Sequence, residues 1–163
     1  MLVYMIKKSV IKKSKVIKKI FKAYDIRGRY PEEINVKAVA EIAAALMRHF
    51  KRIENREKRI VVIGHDARLS SPTLYGAALR VMYQVAAPTP SGRSSDRSVG
   101  GIKIIEAGMI TTPLLYFLVN HLKAVGGIMI TASHNPKEFN GMKVVGPKAV
   151  PMSGKEIQKI LSL

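Results

Sequence analysis

The chain has 163 residues, 47% of them hydrophobic, and a formal net charge of +17. That length suits one domain with a buried core. No apolar stretch approaches the ~20 residues of a membrane-spanning helix, so no transmembrane segment is expected. The lack of cysteine excludes disulfides within the chain, a thiolate nucleophile and a Cys-based zinc site. A cysteine-free chain fits a reducing compartment, and the expected location is cytoplasmic.

Residues 1–22 contain eight lysines and no acid, so much of the excess charge lies in an N-terminal arm, taken as 1–20, ahead of a domain expected over 21–163. At about 100° per residue, Ile6, Val10, Ile17, Ile20 and Phe21 share one face of a helix and most of the lysines share the other. Such an arm could meet an anionic surface, either nucleic acid or membrane. It could equally be a solvated extension whose apolar side packs on the domain. β-Branched residues make a weak isolated helix, which favours packing, and no nucleic-acid partner is expected. Lysines interrupt any apolar leader region and no small-residue cleavage site follows, which argues against a secretory signal.

Next, 21–29 reads as a short strand running into a glycine turn at Gly28. Apolar residues then recur at Val36, Val39, Ile42, Ala43, Leu46, Met47 and Phe50, the spacing of an amphipathic helix with Asn35 as its N-cap. A basic connector, 51–59, leads to the strand 60–63. The turn 64–71 follows, and Pro72 then opens a helix running to about Ala86. The stretch 87–101 is rich in proline, glycine and serine and predicts a long surface loop. A strand at 102–105, a glycine turn at Gly108 and a helix from Pro113 to near Lys123 come next, with Thr111 and Thr112 placed to cap that helix. The strand 126–130, another at 142–145 and a helix from about Ser153 complete the pattern. Alternating strands and helices predict an α/β/α architecture with a mixed, mostly parallel sheet.

The run 131–136, Thr-Ala-Ser-His-Asn-Pro, carries the chemistry. Gly126, Gly127, Ile128, Met129 and Ile130 form a short run bounded by glycine, the pattern of a buried strand. In open α/β sheets ligands gather at the carboxyl ends of strands, and Ser133 lies just past such an end, beside the imidazole of His134. Ser133 is therefore a candidate nucleophile, although Ser-x-Asn-Pro in isolation also describes an ordinary turn serine. Asp66 and Arg68 read as a structural turn network, and His49 and His121 as surface or core-edge residues of helices. There is no Walker A loop, no Gly-x-Gly-x-x-Gly fingerprint and no His-x-x-x-His pair.

Four segments occur in the order seen in the α-D-phosphohexomutases, and the chain resembles that family from about Phe21 onward: FKAYDIRG at 21–28, GHDARLSSP at 64–72, GMITTPLLYF at 108–117 and TASHNPKEFNGMK at 131–143. The opening segment is more similar to the phosphomannomutase/phosphoglucomutase branch than to phosphoglucosamine mutase. The family usually has arginine where His65 stands.

The resemblance implies intramolecular phosphoryl transfer between C1 and C6 of a hexose phosphate, through a phosphoserine at Ser133 and a hexose 1,6-bisphosphate intermediate. On the same basis His134 and Lys143 are candidates for acid/base and charge-stabilising roles, and Arg27 and Tyr24 would line the site. Asn135 would shape the loop around the phosphate, and the phosphoryl group on Ser133 would be a ligand of Mg²⁺.

Family members have four domains around one cleft, and this sequence resembles the first. The alternating aspartates of the second domain's metal loop have no counterpart, because the chain's three aspartates, Asp25, Asp66 and Asp96, are widely separated. The expected partners are thus a hexose phosphate and domains II–IV. Alone, the chain is expected to be inactive or very weak, consistent with a fragment or truncated product. The competing expectation is a non-catalytic domain acting as a binding or regulatory module.

Overall fold

A computed structural model describes residues 19–53, 59–87 and 101–162. The N-terminal arm up to residue 18, most of the 51–59 connector and the 88–100 part of the predicted loop lie outside the described residues. The last of the arm's apolar residues is described: Ile20 is fully buried in the core, with Phe21 packed against it.

The elements in chain order are β1 (Ile26–Arg29), α1 (Val36–Arg52), β2 (Ile60–His65), α2 (Ser71–Ala86), β3 (Lys103–Met109), α3 (Thr112–His121), β4 (Gly126–Ile130), β5 (Phe139–Val145), a 3₁₀ turn (Pro147–Ala149) and α4 (Gly154–Leu161). The five strands form one sheet in the order β1-β5-β4-β2-β3. β2 is parallel to β3 and β4, whereas β5 is antiparallel to β1 and β4. Four strands therefore run one way and β5 runs the other, giving the mixed sheet expected.

Side-chain alternation along the strands splits the core in two. Val61, Ile63, Ile128, Ile130 and Met142 meet Leu46, Phe50, Met82 and Ile157 of α1, α2 and α4. On the opposite face Val62, Met129 and Val145 meet Leu115 and Val119 of α3. The caps follow the sequence. The Asn35 side chain accepts from Ala38 N–H, Thr111 accepts from Leu114 N–H, and Ser153 and Glu156 form a reciprocal capping box.

Several boundaries differ from the sequence expectation. The first strand is only Ile26–Arg29, with Phe21 bridging to Ile26, so Gly28 lies within the strand and not in a turn. β3 runs on through Gly108, which adopts φ +66° where the β2 register skips from Ile63↔Glu106 to Gly64↔Gly108. That bulge keeps the strand going where the glycine suggested a stop. β5 begins at Phe139, three residues early, because its first residues pair with β1. The ends of α2 and β3 also meet at the amino end of the sheet: a Cβ built on Gly101 lies 3.5 Å from the Ala86 carbonyl oxygen.

Gly141 governs how β1 joins the sheet. It pairs with Arg27, and a Cβ there would lie 1.9 Å from the Ile26 carbonyl oxygen. Replacing Gly141 with Ala should destabilise the domain by about 3 kcal/mol or more in urea denaturation, since backbone must move, whereas Met142→Leu should cost less than about 1.5 kcal/mol.

Candidate active site

Ser133 sits in the turn after β4, exposed, with φ +57°. That left-handed conformation costs a residue with a Cβ roughly 1–2 kcal/mol. Neighbours hold it there. Ser133 N–H donates to Thr131 Oγ1 at 2.9 Å. Asn135 donates through both its backbone N–H and its side chain to the Ala132 carbonyl, at 3.1 and 2.8 Å.

From the turn after β2, Arg68 donates to four carbonyls of the same loop: Ser133 and Asn135 through Nη2, Pro136 and Phe139 through Nη1, at 2.6–3.1 Å. Its Nε donates to Asp66 Oδ2 at 3.2 Å. All five guanidinium donors are thereby used. The turn network expected of Asp66 and Arg68 is present, and it extends to the serine loop.

Asp66 anchors the clamp. Its carboxylate accepts from the Ser71 hydroxyl at 2.6 Å, the Thr131 hydroxyl at 2.7 Å and the Arg68 backbone N–H at 3.1 Å. Burial pushes its pKa up. The hydrogen bonds from Ser71, Thr131 and Arg68, with the Arg68 charge, outweigh burial and hold the carboxyl below its ordinary value. Asn140, fully buried, ties the far side of the loop by donating to the Ser70 and Ser71 hydroxyls. His65 lies beside this network, its Nδ1 2.8 Å from the Asp66 carbonyl oxygen and its ring against Tyr75.

The remaining candidate residues fall into three groups. His134 is exposed, with Nδ1 3.5 Å from Ser133 Oγ, long for a hydrogen bond. Arg27 and Lys143 meet at a shared acid, Asp25: Arg27 Nε donates to Oδ1 at 2.7 Å and Lys143 Nζ lies 3.4 Å from Oδ2. Tyr24, in the turn before β1, is 76% exposed.

The sheet relates these groups. Arg27 pairs with Gly141, and the Gly141 carbonyl accepts from Thr131 N–H at 3.0 Å. Arg27, Gly141 and Thr131 therefore form one row across β1, β5 and the end of β4, with Ser133 two residues beyond it. Lys143 leaves β5 on the same face as Arg27. Asp25 and Thr131 are the residues the sequence reading gave no role. Asp25 stands inside the FKAYDIRG segment, so a carboxylate two positions before an arginine was the available signal.

This geometry defines a class: a three-layer α/β/α domain that displays a serine on a clamped, strained turn above a mixed sheet. Comparison with known proteins narrows it. Residues 18–87 and 98–163 match the sequence model described as phosphoglucomutase/phosphomannomutase, alpha/beta/alpha domain I, and the chain belongs to that family. The match begins at residue 18, and its internal gap, 88–97, falls in the stretch rich in proline, glycine and serine.

Similar curated proteins include one named for phosphohexose mutases from Xanthomonas campestris pv. campestris (strain B100), 41% identical over 82% of this chain and 25% of its own length. A phosphomannomutase of Salmonella typhimurium is 37% identical, with the same coverage. A solved structure of a phosphoglucomutase/phosphomannomutase family protein from Burkholderia thailandensis superposes with a TM-score of 0.68 at 27% identity, over 89% of this chain and 29% of that one. The structure of a Thermus thermophilus protein designated a phosphomannomutase gives 0.69 at 30% identity, over 88% and 29%. The chain thus spans between a quarter and a third of the length of these relatives.

Two outcomes follow from the clamp. Ser133→Gly relieves the left-handed backbone and should raise unfolding stability by about 1 kcal/mol, whereas Ser133→Ala should not. Asp66 titrates lower in the folded protein than in the unfolded chain. Its contribution is complete above the unfolded value of about 3.9 and is lost as pH falls through the folded one. Glu156 is likewise held below its ordinary value by its hydrogen bonds from Ser153. Unfolding free energy measured across about pH 2.5–5 should therefore fall less steeply in Asp66→Asn than in the wild type.

Proposed function

We propose that this chain is the phosphoserine-bearing domain of a phosphohexomutase, carrying a phosphoryl group on Ser133 between C1 and C6 of a hexose phosphate. The observation that carries the reading is the exposed Ser133 hydroxyl, held in a strained conformation by a dedicated arginine clamp. Strained backbone persists where surrounding structure over-determines it, and it concentrates at functional sites.

In this reading the Ser133 Oγ attacks a substrate phosphorus. The Oγ–P bond forms as the phosphorus–sugar oxygen bond breaks. The Oγ proton passes to a base, for which His134 Nδ1 is nearest, and the departing sugar oxygen takes up a proton. Arg27 and Lys143 supply positive charge for the phosphate oxygens, the guanidinium through a planar fork. Tyr24 lines the approach, and Asn135 keeps the turn in shape.

Mg²⁺ would neutralise phosphoryl charge during transfer. The described residues do not by themselves make a site for it. Among the described residues no group of three His, Cys, Asp or Glu side chains could hold a metal ion. Asp25 and Asp66 are committed to internal partners, so at this site the described residues would offer the phosphoryl oxygens on Ser133. Carboxylates from domains II–IV, also absent from the sequence, are required to complete such a site, and the sugar's second phosphate needs partners there too. No helix of the described residues is long and apolar enough to cross a membrane, and a cytoplasmic location suits a phosphosugar enzyme.

The test is to incubate the chain with glucose 1,6-bisphosphate radiolabelled in its phosphoryl groups and to map the label by peptide mass. Label on Ser133, abolished by Ser133→Ala, is expected. Addition of a family polypeptide containing domains II–IV should convert this into turnover of glucose 1-phosphate. Label elsewhere, or turnover that survives Ser133→Ala, overturns the assignment. A chain that never takes label but binds hexose phosphates supports a binding module instead, a reading favoured by the commitment of both carboxylates to internal pairs.

A further inference from the structure

Asp25 is 2% exposed, and a buried carboxylate is costly unless it is paired. It is paired twice, one oxygen to Arg27 Nε and the other to Lys143 Nζ. One acid therefore faces two bases, and the cluster keeps an unbalanced positive charge. The two cationic side chains are 26% and 23% exposed, against 3% for the acid. The charge is thus arranged from a buried anion outward to two half-open cations.

The atom used on Arg27 matters. Binding through Nε leaves both Nη groups without another hydrogen-bond partner among the described residues, so the edge of the guanidinium that grips phosphate in a fork is kept free. Gly141 makes the arrangement possible, because only a strand position without a Cβ lets β1 approach closely enough to bring Arg27 beside Lys143. Tyr116 of α3 also senses the acid: burial first and the Asp25 charge second raise its hydroxyl pKa above the ordinary value.

We propose that Asp25 is a positioning residue, fixing Arg27 by Nε and Lys143 by Nζ so that their free donors face one phosphate group together. This rests on the phosphoserine reading of Ser133. Without the acid the two like charges repel and the pair loses its common orientation. An ion pair serving stability alone needs one cation. A carboxylate shared by two, each with its outer donors open, fits presentation of an anion site.

The test uses the full chain with two substitutions. Asp25→Asn keeps the shape and removes the charge, and Asp25→Glu keeps the charge and displaces it by one methylene. Four quantities are measured: the thermal midpoint, exchange protection of the Arg27 Nε–H by NMR, affinity for inorganic phosphate, and the rate of Ser133 labelling from saturating glucose 1,6-bisphosphate. In Asp25→Asn the fold should persist and the Nε–H protection should be lost. Phosphate affinity should stay level or rise up to about threefold, since a repelling charge has gone. Labelling should slow about ten- to a hundredfold, the scale of a misplaced catalytic group. Asp25→Glu should return phosphate affinity to the wild-type value without restoring the labelling rate.

An unchanged labelling rate in Asp25→Asn overturns the proposal, as does a rate that falls only in step with phosphate affinity or with the thermal transition. If the wild-type chain takes no label at Ser133, the phosphoserine reading fails separately. The Nε–H signal then decides: its persistence in Asp25→Asn overturns the positioning role, and its loss there supports it.

Discussion

One guanidinium group organises the serine loop. A backbone turn has no side-chain core of its own, so its geometry must be imposed through its carbonyls. Arg68 reaches four of them and is itself aligned by Asp66. Hydrogen bonds involving a charged group contribute about 1.5–3 kcal/mol each when shielded from water, and the Arg68 side chain is 14% exposed. Even one such bond offsets the cost of a left-handed serine, so four make that conformation the stable one. Since Arg68 follows β2 and the loop follows β4, the clamp also ties two parallel neighbours together at their carboxyl ends.

The reversed strand supplies the other half of the arrangement. β5 enters the sheet where β1, β4 and β2 leave it, and so brings Asn140, Gly141 and Lys143 to the same end as Ser133. Each of the three has a different task. Asn140 fixes the loop to the start of α2, Gly141 admits β1, and Lys143 joins Arg27 at Asp25. Thr131 links the halves, its hydroxyl donating to Asp66 while accepting from Ser133 N–H.

Much of this was legible in the residues. The α1 periodicity, the Asn35 cap, Pro72 at the start of α2 and the helix start near Ser153 are local signals, and at Asn35 and Ser153 local hydrogen bonds satisfy them. The sequence also located the serine loop and paired Asp66 with Arg68. Strand ends were harder to read. An apolar run marks the centre of a strand, but register with its neighbours sets its limits, so Gly108 suggested a stop where the β2 bulge lets β3 continue. Asp25 was legible only in part, as a carboxylate two positions before Arg27. Its second partner, Lys143, lies more than a hundred positions away, a pairing that sequence order does not reveal.

The meeting of Gly101 with Ala86 bears on how this domain tolerates change. Their approach means that whatever joins them leaves and returns at nearly the same point. The entropy of closing a loop grows only slowly with its length, about 0.6 kcal/mol for each doubling. The junction is also at the amino end of the sheet, the width of the strands away from Ser133. A change of length between them therefore costs the fold little, and the family match that halts at residue 87 resumes at 98 with β3 in register.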